Sequence, residues 1–298
     1  MKQSDRIKNP LHIPVFPNEV VSFFNINPNG VYVDGTCGLG GHSKLILNNL
    51  SEYGSLIAID LDQDAIKESQ LNLNNKISKI YFENNSYSKL PEILKKLNIN
   101  RVDGILLDLG LSSMQLDSLD RGFSYSKNSN LDMRFNQNSR LNAETLINSS
   151  TEKELADIIY KYGEERKSRK IAKHICQIKP LKNVQDLVWA IKKSTPPRFR
   201  NKTLARVFQA IRIAVNDELE KLSEFLDIFS DYLKIGGKII IISFHSIEDR
   251  MVKRCFKKNS HSGILKIITK KPLTPSYMEI ELNNRSRSAK LRCAEKLI

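Results

Sequence analysis

Over the first hundred or so residues, short apolar runs alternate with stretches of helical spacing. Gly30-Val31-Tyr32-Val33-Asp34 reads as a short buried strand. The stretch from His42 to Leu50 then sets Leu45, Ile46 and Leu50 on one side of a helix. Ser55 to Asp60 is a second strand, leading into helical spacing from Asp64 to Leu73. Lys79 to Phe82 is a third, ending near Glu83, with a helix around Leu90 to Leu97. Val102 to Asp108 is a fourth. Strands alternating with helices predict an α/β fold, a mostly parallel sheet with helices on both faces.

The rhythm then changes. From about 115 to 203 there is little strand signal and much helix and polar loop. Ser150-Thr151-Glu152-Lys153-Glu154 has the capping and acidic residues of a helix start, backed by Leu155, Ile158, Ile159 and Tyr162. A further helix is expected over Asp186 to Lys193, before Thr195-Pro196-Pro197. Thr203 to Leu233 reads as one long amphipathic helix with an irregularity, ended by Gly236-Gly237. A fifth strand, Lys238 to Ser243, a helix from Glu248 to Lys257, and late strands at Leu265–Thr269 and Ser288–Cys293 follow. The expected organisation is a Rossmann-like domain of residues 1–114 and 204–298, with a helical domain of residues 115–203 inserted.

Bulk properties narrow the classes. With 40% hydrophobic residues in 298, a sizeable core is available. The start, MKQSDRIKNPLHIP, lacks the apolar run of a secretory leader, and the longest aliphatic run, Ile239–Ile242, cannot span a bilayer. A cytoplasmic protein without a membrane partner is expected. Cys37, Cys176, Cys255 and Cys293 form no CxxC pair, which points away from disulfides and zinc, and His174 with Cys176 lacks a second ligand pair. No metal is expected. The formal charge of +14 favours a polyanionic partner, although a composition rich in Lys, Asn and Ile accounts for some of it.

Chemistry concentrates at the strand ends. Ligands of open α/β sheets bind beyond the carboxyl ends of the strands, where Asp34, Asp60 and Asp108 lie. The loop after Asp34 carries Gly38, Gly40 and Gly41, whose missing Cβ atoms let a ligand approach the backbone. Asp60, about twenty residues on, stands where a carboxylate binds ribose hydroxyls. Both a dinucleotide dehydrogenase and a methyltransferase fit that series. G-x-G-x-x-G counted from Gly38 fails at Ser43, which disfavours the dinucleotide.

Longer motifs carry a resemblance. Asp34-Gly35-Thr36-Cys37-Gly38-Leu39-Gly40-Gly41-His42-Ser43, Asp103 to Ser113 with Gln115 and Asp117, and Arg121-Gly122-Phe123-Ser124 belong to it. So do Leu131-Asp132-Met133-Arg134, Tyr162-Gly163-Glu164-Glu165-Arg166 and Phe208 to Ile213. Ile242 to Arg250 and Arg285 to Arg292 complete the set. Collinear over nearly the whole chain, they resemble the bacterial small-subunit rRNA cytosine-N4 methyltransferases, the RsmH or MraW family. The resemblance implies a class I methyltransferase fold with an inserted helical domain, and S-adenosyl-L-methionine as cofactor. It implies a cofactor site at Gly40, Gly41, His42, Asp60, Tyr87, Asp108 and Gln115. It also implies methylation of a decoding-centre cytosine of 16S rRNA in an assembled small subunit, and leaves a homodimer open. Tyr87 stands where the family usually has Phe, and the segment from His261 to Lys271 is short for the family.

The residues also speak to the position methylated. Carbon-5 methylation of cytosine normally needs a cysteine nucleophile, and none follows the fourth or fifth strand. An exocyclic amine is the better target. Asp108, or a nearby backbone carbonyl, is the candidate to accept its N–H, with His245 and Ser246 as candidates to orient the base or relay a proton. Asp108 serving the cofactor's amine remains an alternative. Arg134, Arg166, Arg198, Arg200, Arg212 and Arg250 are candidate phosphate contacts, against the ordinary reading of solvated charge. His245 as a structural histidine, and Gln115 as a loop amide, are the corresponding plain readings. Rival functions are methylation of DNA or protein, and a catalytically silent RNA-binding assembly factor.

Overall fold

The computed structural model describes residues 14–73 and 77–298, and the chain divides into two compact units, Met1–Gly110 with Ser223–Ile298, and Leu111–Leu222. In the first unit α1 (Pro17–Phe24) precedes β1 (Val31–Asp34), α2 (Gly41–Leu47) and β2 (Ser55–Asp60). Then come α3 (Gln63–Asn72), β3 (Lys79–Asn84), α4 (Leu90–Lys96) and β4 (Val102–Asp108). Central strands β2 and β4 are buried along almost their whole length, as continuous Leu/Ile runs dictate for a sheet covered on both faces.

The second unit holds α5 (Ser113–Asp117), α6 (Ala143–Ser149), α7 (Glu152–Gly163), α8 (Ser168–Gln177), α9 (Val184–Ser194) and α10 (Arg200–Asn216). Its own core joins Leu155 and Ile159 of α7, Ile171 and Ile175 of α8, Leu187 and Ile191 of α9, and Val207 and Ile211 of α10. Thr151 and Asn183 cap α7 and α9 through reciprocal bonds with Glu154 and Asp186. α7 and α10 meet closely because Gly163 lies against the Arg206 carbonyl, where a Cβ would come within 2.6 Å.

The chain returns through α11 (Glu218–Tyr232) to β5 (Leu233–Ser243), α12 (Ser246–His261), β6 (Leu265–Ile267), α13 (Tyr277–Leu282) and β7 (Lys290–Lys296). The sheet order is β3-β2-β1-β4-β5-β7-β6, with β1 to β5 parallel and β7 antiparallel to both neighbours. This is the class I methyltransferase fold.

Three expectations are corrected. The long helix expected from Thr203 to Leu233 is two helices, because Asp217 adopts φ 51° and breaks the ladder after Asn216. Gly236 and Gly237 end no helix; they sit inside β5, which begins at Leu233, and the β4–β5 register shifts between Val102 and Gly104 there. α10, expected in the sheet domain, packs on α7 and α9, so the helical unit runs beyond residue 203.

Candidate active site

Three parallel strands deliver three carboxylates. Asp34 ends β1, Asp60 ends β2 and Asp108 ends β4, and β1 lies between the other two strands. The chain leaves β1 into a loop held by its neighbours. Gly35 N–H donates to the Leu106 carbonyl and Cys37 N–H to the Ile59 carbonyl, each at 2.9 Å. The Asp108 N–H donates to Thr36 Oγ1 at 2.6 Å. Gly38 and Gly40 take φ values of 51° and 88°, which side chains resist. At Gly40 a Cβ would also lie 2.9 to 3.0 Å from three Leu73 carbons. The glycine is therefore required twice, by torsion and by space.

The carboxylates hold this loop. Asp34 is buried and accepts from Ser43 Oγ at 2.7 Å and from the Thr36 N–H at 3.3 Å. Asp60 accepts the Gly38 N–H at 2.8 Å on one oxygen and the Asp62 N–H at 2.9 Å on the other. Each Asp60 oxygen therefore retains acceptor capacity. Ser43, which breaks the dinucleotide pattern, holds the carboxylate of Asp34.

Asp108 differs. Its Oδ1 is buried without a hydrogen-bond partner among the described residues, and Oδ2 lies 3.6 Å from His42 Nδ1. His42 Nε2 sits 2.8 Å from the Val15 carbonyl, which can only accept, so Nε2 donates there while Nδ1 faces the Asp108 carboxylate. Burial pushes the Asp34, Asp60 and Asp108 carboxyls each up to about 6; at Asp108 the nearby His42 offsets part of the rise and Asp34 and Glu248 add to it.

The other expected residues divide. Tyr87 begins a 3-10 turn beside the loop, its Cβ within 3.1 Å of where a Gly35 Cβ would stand, and its ring meets Phe225 edge-on at 5.5 Å. Gln115 lies in the second unit, where its Oε1 accepts the Ser112 N–H in the capping box of α5. His245 caps α12: its Nδ1 accepts the Glu248 N–H at 3.3 Å and its Nε2 lies 3.1 Å from Glu248 Oε1. Arg134 clasps Asp132 and the carbonyls of Gln137 and Ser139, and Arg212 forks onto Glu218, so both have the structural occupation weighed against RNA contact. Sequence reasoning missed the facing of His42 and Asp108. The signal was present as a histidine at the first turn after the glycine loop.

Burial raises the Cys37 thiol well above its usual range and takes Cys255 to about 11 and Cys293 to about 12, so these three are poor nucleophiles at neutral pH. Among the described residues no helix is long and apolar enough to cross a membrane.

Comparison with known proteins decides the family. Residues 9–297 match the sequence profile of the MraW methylase family. The chain belongs to that family. It is similar to the ribosomal RNA small subunit methyltransferase H of Caldicellulosiruptor saccharolyticus, 46% identical, with 96% of this chain and 99% of that one covered. The proteins of the same name from Desulfotalea psychrophila and Kosmotoga olearia are 42% and 44% identical; the alignments cover 96% and 97% of this chain and 98% of each relative. This MraW-family methylase thus matches those relatives along essentially their whole length.

Proposed function

We propose that the protein transfers the methyl group of S-adenosyl-L-methionine to the exocyclic N4 of a cytosine in small-subunit (16S) rRNA. The observation that carries this is Asp108: a partly buried carboxylate at the end of β4, beside the glycine loop, whose buried Oδ1 has no hydrogen-bond partner among the described residues. Leaving such an acceptor unmade is costly, so the site suits a bound molecule that brings an N–H or N⁺–H. The adjoining loop fits a nucleoside donor, because Asp60, at the end of β2, keeps acceptor capacity for ribose hydroxyls. S-adenosylmethionine supplies an electrophilic sulfonium methyl. Gly40, Gly41, His42 and Asp60 hold it, and the family resemblance adds Tyr87 and Gln115.

The chain's own groups perform the rest. An N–H of the amine donates to Asp108, which draws the nitrogen lone pair out of conjugation with the ring. When the N–C bond forms and the S–C bond breaks, the amine loses a proton, and a carboxylate held near 6 accepts it at neutral pH. His42, fixed on the Val15 carbonyl, presents its Nδ1 to Asp108 at 3.6 Å. His245 holds the turn that follows β5, and Ser246 begins α12 beside it. Cys37 and Cys293, buried, and Cys255, half-buried, are all weakly acidic, which supports nitrogen rather than carbon-5 as the target.

The relatives' names support small-subunit rRNA as the substrate; on the family resemblance we assign a decoding-centre cytosine in an assembled small subunit, met in the cytoplasm. The helical unit recognises the RNA. The test is methyl transfer from labelled donor to unmodified small subunits, with nuclease digestion and mass spectrometry of the product, for wild type and Asp108→Ala. N4-methylcytidine with wild type only supports the reading. Donor binding retained by Asp108→Ala assigns the carboxylate to the target amine; donor binding lost assigns it to the donor's amino group. Label at another position, or on DNA or protein, overturns it.

A further inference from the structure

The excess positive charge of this protein is concentrated. Residues 166–216 hold 14 of the 47 lysines and arginines but only one of the 33 acids, Asp186. The rest of the chain is balanced to within one charge. That segment is α8, α9, α10 and their connections, all in the second unit. A composition drift common to the whole chain would not produce such segregation. A surface for a polyanion does.

Two exposed aromatic rings, Phe199 and Trp189, stand within this charge. Phe199 ends the 3-10 turn Pro197–Phe199 and is 43% exposed. The Arg198 guanidinium lies 4.6 Å from the ring centroid and Lys167 Nζ 5.8 Å from it, one cation from the same turn and one from the start of α8. The ring is held from below. Thr195 is buried, Pro196 and Pro197 fix the backbone torsions before it, and the Phe199 N–H donates to the Pro196 carbonyl at 3.0 Å. Arg200 Nε donates to the Thr195 carbonyl across the same turn at 3.3 Å. A large exposed apolar group on a rigid turn has no role in the core and loses little entropy when it is covered. Nearby α9 repeats the pairing, with Trp189 half exposed and Lys193 5.3 Å from its ring.

Resting on the RNA reading above, we infer that Phe199, flanked by Arg198 and Lys167, is a stacking platform for an unpaired RNA nucleotide. The base lies on the ring and its phosphates on the flanking cations. A ring alone would suit an apolar peptide, and cations alone a duplex backbone. The combination, on a segment nearly free of acids, is the chemistry of single-strand recognition. Stacking is tolerant of base identity, so the platform selects unpaired RNA rather than a sequence.

The test uses the full-length protein and fluorescein-labelled single-stranded oligocytidine, with an RNA duplex of equal length as control, read by anisotropy at fixed salt. Phe199→Ala is expected to weaken oligocytidine binding about 5- to 150-fold while leaving duplex binding and the melting curve unchanged. Lys167→Gln with Arg198→Gln is expected to flatten the slope of log Kd against log salt by about 1.4, two phosphates' worth. Trp189 is the only tryptophan. Phe199→Trp in a Trp189→Phe background is therefore expected to bind like wild type and to lose fluorescence as the base stacks. Unchanged affinity in Phe199→Ala, an unquenched indole under saturating RNA, or no oligocytidine binding by wild type each overturns the platform. Methyl transfer by wild type to small subunits, measured alongside, reports separately on the reading it rests on.

Discussion

Asp108→Asn should make this protein more stable and less active at once, and the structure sets the size of the gain in stability. The Asp108 carboxyl titrates near 6 in the fold because burial penalises its charge, against a usual value near 3.8. A raised acid binds its proton more tightly folded than unfolded. Stability is therefore fullest below the unfolded value and is lost as pH rises through about 6. A gap of about two units corresponds to roughly 3 kcal/mol at pH 8, and about 1 kcal/mol at pH 4.5. The neutral amide escapes this loss. For 298 residues, 3 kcal/mol raises the melting temperature by roughly 5 °C. Differential scanning calorimetry of both proteins without donor, at pH 8 and pH 4.5, reads the effect, and methyl transfer on small subunits reads the activity. An Asp108→Asn protein that melts lower than wild type at pH 8, or whose gain is the same at both pH values, refutes the argument. So does one that keeps full transfer.

Other consequences are equally open to measurement. Gly40→Ala should lose about 1 to 3 kcal/mol of stability and most donor binding in calorimetric titration, since φ of 88° and three Leu73 carbons within 3.0 Å both oppose a Cβ. Donor affinity should be flat above pH 7 and fall as pH drops through about 6, because ribose hydroxyls need the ionised Asp60; Asp60→Asn should bind weakly at every pH. Asn216→Ala should destabilise the helical unit by about 2 to 4 kcal/mol in denaturant melts, because its amide accepts the Phe135 N–H and donates to the Met133 carbonyl.

What the sequence conveyed, and what it withheld, follows from range. β2 and β4 are continuous apolar runs closed by an acid, and their bounds are read directly from local pattern. The acidic strand ends and glycine loop were legible for the same reason. The break at Asp217 was not, because a non-glycine residue in the left-handed region carries no strong local mark. Gly236 and Gly237 have the composition of a helix stop and yet lie in a strand, in the irregularity between the paired residues Leu233 and Lys238 that only β4 can specify. The site shows the same limit. His42 and Asp108 are 66 positions apart, and their facing depends on β1 pairing with β4. Arg134 and Arg212 looked like phosphate ligands until their carboxylate partners were located.

The order of the strands has a consequence for synthesis. β4 pairs with β1 on one side and with β5 on the other, but residues 109–232 separate β4 from β5. While a ribosome adds those residues, at about 5 to 20 per second, the nascent sheet stands open at β4 for some 6 to 25 seconds. The open edge is Ile105-Leu106-Leu107, among the most deeply buried residues of the finished molecule. The helical unit, contiguous in sequence and with its own core, emerges and can fold during that interval. Its folding shortens the effective loop that β5 must close, and so shortens the time for which a sticky strand edge is available to other nascent chains.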